Sequence, residues 1–152
     1  MEHIWWTKAD ARASLDEEGG IERAILALHA RQTEVEQNVR DTRYRNGRGF
    51  TPADARRLSR MADQLLAKMQ LRPWQEQQAK DRLQKYCGQL ARTYNAQQVA
   101  EQMLHAIRRG MPDMPLNVQA DWADDYGLYT LAMYLRRVYE GYDPETENVG
   151  DD

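Results

Sequence analysis

Among 152 residues there is one cysteine, Cys87, and one phenylalanine, Phe50. A lone cysteine excludes an internal disulfide, and with it the disulfide-stapled class of small secreted domains. It suits a reducing compartment, so the cytoplasm is the expected location. Long apolar runs are missing too; none approaches the ~20 residues that cross a bilayer. The opening MEHIWWTKAD has an acidic second residue and no apolar core, so no secretion signal is expected. Catalytic patterns are also absent. There is no Gly-x-Ser-x-Gly elbow and no His-Glu-x-x-His, Cys87 has no histidine near it in sequence, and the glycines at 47 and 49 lack the Gly-Lys-Ser/Thr ending of a phosphate-cradling loop. No catalytic residue, metal site or cofactor is expected, and the chain reads as a non-enzyme.

What is present is charge, unevenly spread. The net charge of −3 conceals −4 over residues 1–39, +9 over 40–109 and −8 over 110–152. A basic middle between acidic ends either binds a polyanion or is neutralised by its own termini. The sequence pI near 5.7 argues against a domain that is basic as a whole.

Apolar residues recur at helical spacing almost throughout. Thr7 to Asp10 resembles a capping box opening a short helix that Gly19-Gly20 ends. Ile21, Ala24, Ile25, Leu28, Val35 and Val39 mark a second helix. Thr51-Pro52-Ala53-Asp54 is a helix start, with Thr51 as cap, Pro52 at the first position and Asp54 complementing the helix dipole. Leu58, Met61, Ala62, Leu65, Leu66 and Met69 form its stripe, and the helix is expected to end near Gln70 before Pro73 opens the next. That next stripe runs Ala79, Leu83, Tyr86, Cys87, Leu90, Tyr94. Asn95 is expected to cap a further helix that Gly110 ends, and residues 120–141 are expected to form one last helix, apolar nearly all round. No strand pattern competes. The expectation is an all-α single domain over 1–142, a bundle of five or six helices around a central αα-hairpin. The proline-bearing 110–118 segment is its candidate hinge, and 143–152 is an acidic tail expected to be disordered.

Candidate contact residues concentrate near the centre. Arg43, Tyr44, Arg45 and Arg48, followed by Phe50, interleave arginine with aromatics, a pattern suited to phosphate contact and base stacking; a solvated connection with Phe50 plugged into the core explains them as well. Arg56, Arg57 and Arg60 continue the basic surface onto the helix. Trp5 and Trp6 either clamp the terminus onto the core or form a secondary partner surface. Asp121, Asp124 and Asp125 suggest a divalent cation, but their spacing is no calcium loop and helix-dipole complementarity accounts for them. The 120–141 helix is a candidate homo-oligomer interface.

Gln32, Thr33 and Glu36, then Asn46, Gly49, Phe50 and Asp54, then Leu71, Pro73 and Gln75, and finally Leu83, Lys85, Tyr86, Gln89 and Leu90 make up a longer pattern. Over roughly residues 24–95 it resembles a short module met in phage and prophage proteins, including regions appended to helicases of the DEAD-like superfamily. The resemblance carries no helicase motif into this chain. It implies a phage-encoded protein connected with nucleic-acid transactions. Two functional readings follow. One is a non-enzymatic accessory protein touching nucleic-acid phosphates through the arginine-rich loop and helix. The other is a phage-encoded interaction factor that inhibits or modulates a host defence or replication complex.

Overall fold

Pro52 and Pro73 each occupy the first position of a helix, where a missing N–H is harmless and a fixed φ helps. In the computed structural model, which describes residues 3–39 and 50–141, these two helices belong to a set of seven. They are α1 (Lys8–Ser14), α2 (Gly20–Val39), α3 (Pro52–Leu66), α4 (Pro73–Leu83), α5 (Cys87–Arg108), α6 (Leu116–Asp125) and α7 (Tyr129–Tyr139). A single 3-10 turn, Gln84–Tyr86, separates α4 from α5. No strand occurs among the described residues, and the chain is all-α. No described helix is long and apolar enough to cross a membrane. Arg43, Tyr44, Arg45, Asn46, Arg48 and Gly49, and the tail 143–152, lie outside the described residues. The described chain divides into two compact units, 8–39 with 50–90, and 3–7 with 91–141; the 110–118 segment lies inside the second.

In the first unit α2 packs on α3 and α4, and α3 packs on α4 as the hairpin that the two prolines imply. Leu58, Met61 and Ala62 are buried along α3 as the stripe requires, but Leu66 and Met69 are 60% and 57% exposed. The helix stops before the expected Gln70 because Lys68 turns left-handed, with φ of 65°. Met69 N–H then bonds back to the Gln64 carbonyl at 2.9 Å and Lys68 N–H to that of Leu65 at 3.0 Å, closing the helix end. Gln75 opens α4: its Oε1 accepts the Arg72 N–H at 2.9 Å, while its amide donates to Gln64 Oε1 at 2.8 Å. At the other end of the unit, Gly20 begins α2 rather than ending α1. A Cβ there would lie 1.7 Å from the Ser14 carbonyl oxygen, so only glycine lets the two helices meet so closely.

The second unit corrects two expectations. Asn95 is not a cap; it is buried within α5, where its Oδ1 accepts the Trp6 N–H at 2.6 Å and its amide donates to the Trp6 carbonyl at 3.0 Å. Gln98 continues the face one turn on, accepting the Trp6 indole N–H at 3.0 Å and donating to the His3 carbonyl at 2.7 Å. Gln102 accepts the Leu131 N–H at 2.8 Å and so satisfies a free amide at the start of α7. Residues 120–141 are two helices, not one. Gly127 takes φ of 76°, and Leu128 N–H reaches back to the Ala123 carbonyl at 2.9 Å, a glycine helix stop. The resulting α6–α7 pair closes on Ala106, Ala120, Ala123, Leu131, Ala132 and Leu135.

Replacing Asn95 by alanine leaves two buried backbone groups of Trp6 without partners, and each such group costs roughly 1–3 kcal/mol. The expected outcome is a loss of about 2–4 kcal/mol in urea unfolding. A change no larger than that of an exposed polar-to-alanine control would show that Trp6 is not held this way.

Candidate functional site

Asp54 was expected to serve only the helix dipole. Its carboxylate is instead fully buried, at 0% exposure, and four side chains converge on it. Arg82 Nη1 reaches Oδ1 at 2.7 Å; Lys85 Nζ reaches Oδ2 at 2.6 Å; the Tyr86 hydroxyl donates to Oδ2 at 2.7 Å. The Thr51 hydroxyl adds a longer bond to Oδ2 at 3.3 Å, and the Thr51 backbone N–H donates to the Tyr86 oxygen at 2.9 Å. Thr51 therefore holds its neighbours rather than capping α3 with its side chain. Burial alone would raise the Asp54 pKa; hydrogen bonds from Lys85, Tyr86 and Arg82 outweigh it and hold the carboxyl at about 2, against an ordinary value of 3.8. The same contact pushes Lys85 further towards its charged form. Burial raises the Tyr86 pKa, so its hydroxyl stays protonated and able to donate.

One anion facing two cations leaves the cluster with a surplus positive charge. That charge is accessible, since the Arg82 and Lys85 side chains remain 36% and 53% exposed. On α3, Arg56, Arg57 and Arg60 are exposed and form no ion pair with a described residue. Arg56 and Arg60 face away from the buried Leu58, Met61 and Ala62, while Arg57, one turn before Met61, borders that stripe. On α4, Trp74, Gln78 and Arg82 recur every fourth residue. They follow the side from which Gln75 and Arg82 reach α3. The other side of α4 is different in character. There Glu76 and Lys80 border a hollow of about 430 Å³ lined also by Asp16, Glu17, Glu18 and Glu22, with Lys80 paired to Asp16. The Glu76 pKa is raised above its ordinary value, chiefly because its protonated carboxyl can donate a hydrogen bond to Glu22. The hairpin thus separates a basic edge from an acidic one.

The remaining candidates divide clearly. Phe50 is buried and meets Tyr86 edge-on at 6.1 Å, so it plugs the core and offers no face to a base. Trp6 is 1% exposed, between His3 and Tyr94, and is removed from the partner surface; Trp5 is half-buried with the Arg137 guanidinium 4.5 Å from its ring. Asp121 and Asp124 are both held by Arg136, at 2.9 Å for Asp121, which closes α6 on α7 and occupies the carboxylates considered for a cation. Among the described residues no group of three or more histidine, cysteine or acidic side chains is arranged to hold a metal.

Sequence reasoning missed Trp74, which is 62% exposed at the start of α4, and the role of Arg82. The available signal was the spacing of Arg82, Lys85 and Tyr86 at i, i+3 and i+4, which puts three donors on one helical face. Comparison with protein-family models, with curated proteins and with solved structures finds no match.

The sign of the Asp54 linkage is definite. Its folded pKa lies below the unfolded value, so the stabilisation is present above the unfolded pKa and is lost as pH falls from 3.8 towards about 2. Because Lys85 and Arg82 reach solvent, the expected loss is about 1–2 kcal/mol rather than the full value of the shift. Urea unfolding at stepped pH should show this loss in the wild type and not in Asp54→Asn, which should also be the less stable protein at neutral pH. Parallel acid profiles for the two would remove the network from the account.

Proposed function

We propose that the chain is a non-enzymatic accessory protein of nucleic-acid transactions, of phage type, that contacts phosphates through the outer face of α3. The observation that carries this reading is the exposure of Arg56, Arg57 and Arg60 without an ion-pair partner among the described residues. Guanidinium groups left free on a helix face are suited to bidentate contact with phosphate oxygens. The positive surplus at Arg82 and Lys85 extends that face, and the resemblance over residues 24–95 points to the same class. A host-cell cytoplasm is the proposed setting. A second reading, a protein–protein factor that modulates a host defence or replication complex, is favoured by one observation: Leu66, Met69 and Trp74 stand exposed together around the α3–α4 connection.

Fluorescence anisotropy with labelled oligonucleotides at stepped salt tests the first reading. Binding should weaken steeply with salt, because each neutralised phosphate releases counterions. The triple variant R56Q/R57Q/R60Q should bind at least about tenfold more weakly and lower the magnitude of the log–log salt slope by roughly 2–3. An unchanged slope in the variant would show that α3 does not touch the phosphates.

A further inference from the structure

The exposed indole of Trp74 stands on the same edge of the hairpin as the cations. Trp74 is 62% exposed and makes no hydrogen bond or ring contact with another described side chain. Positions 74, 78 and 82 form a row on α4 roughly 12 Å long that turns about 80° around the helix, beside exposed Asp81, which accepts a hydrogen bond from the Gln77 amide. That is enough for a few nucleotides of an unpaired strand. The row ends at Arg82 and Lys85, whose orientation is fixed by the buried Asp54 while their charge stays in solvent. Gln64 and Gln75 join the two helices at the Trp74 end and Asp54 and Arg82 join them at the other, so Arg56, Arg57 and Arg60, which follow Asp54 on α3, lie towards the Arg82 end of the hairpin. The acidic hollow with Glu22 and Glu76 occupies the other side of α4, where it disfavours any polyanion.

We propose that this edge is a single-strand binding track, in which Trp74 stacks on an unpaired base while Arg82, Lys85 and the α3 arginines hold the backbone. The inference rests on the phosphate-binding reading above and names its substrate class. A tryptophan flanked by cations is of little use to a duplex, whose bases are already stacked and paired. A single strand offers free base faces, and stacking on an aromatic ring tolerates any sequence. Rings and backbone contacts of this kind serve DNA and RNA alike, so the shared ligand chemistry is an unpaired polynucleotide.

The test uses anisotropy with oligothymidylate, oligouridylate and a duplex, each of about 20 nucleotides or base pairs, long enough to fill such a track. Trp74→Ala should weaken single-strand binding roughly 5- to 100-fold, Trp74→Phe should retain most of it, and duplex binding should change little with either. Comparison of the thymidylate and uridylate arms separates DNA from RNA. The triple arginine variant should weaken single strand and duplex together. Single-strand binding that is indifferent to Trp74→Ala, or a preference for duplex, would overturn the stacking track and leave the phosphate reading standing. No binding of any oligonucleotide at low salt would overturn both, and would leave Leu66, Met69 and Trp74 as an apolar contact for a protein. Trp74 is a surface residue, and helical circular dichroism of each variant establishes that the fold is kept.

Discussion

The first unit depends on one buried carboxylate. An unpaired charge inside a protein is penalised by several kcal/mol, so Asp54 can stay buried and ionised only where donors surround it. Three of those donors, Arg82, Lys85 and Tyr86, come from the end of α4 and the turn after it, and Thr51 comes from the residue before α3. Satisfying Asp54 therefore ties the beginning of one helix to the end of the next. The opposite end of the hairpin is tied by the Gln64–Gln75 amide pair. With both ends fixed, little freedom remains in the register between α3 and α4. Phe50 packs against Tyr86 and extends the constraint to the chain entering α3.

The same interaction shapes the surface. A carboxylate held by one cation would leave a neutral pair; held by two, it leaves a positive edge whose members cannot wander. Fixed cations bind phosphate with less ordering entropy than free lysines, because part of their rotamer freedom is already spent on Asp54. Glu76 and Lys80 on the other side of α4 face an acidic neighbourhood from α2 and the residues before it. Among the described residues of α3 and α4, the basic side chains are thus neither fully neutralised by described partners nor spread evenly. Arg82 and Lys85 carry surplus charge on one side of α4, and Glu76 lies in the acidic neighbourhood on the other.

Much of this was legible where the cause is local. Pro52, Pro73 and Gly110 mark helix ends by backbone chemistry, and the stripe of Leu58, Met61 and Ala62 is buried as its spacing requires. The readings that failed did so where a local cause and a tertiary one use the same residue. Asp near a helix start satisfies the dipole whether or not it is buried, so nothing nearby distinguished Asp54. Asn95 matches the preference for a cap, yet its amide is matched to the backbone of Trp6, 89 residues away. Gly127 lies among aromatics whose helical spacing continues through it, so the break between α6 and α7 was read as one helix. Trp5 and Trp6 are adjacent and identical in type, but Trp6 is buried against Asn95 and Gln98 of α5 while Trp5 lies against Arg137.

The apolar tip of the hairpin separates into two kinds of exposure. In a helix end of the kind seen at Lys68, the residue after the left-handed position often packs on the third residue from the helix end. Here that third residue is Gln64, committed to Gln75, so Met69 has no apolar partner there and stays in solvent. Exposure of Met69 is thus the consequence of using Gln64 to tie α4. Trp74 has no such excuse: position 74 follows Pro73 in the first turn, and Gln75 rather than Trp74 supplies the capping contact. Any helix-forming residue would serve the fold there. A large aromatic ring at that position contributes little to the packing of its own unit, which makes its use by something outside the chain the more economical explanation.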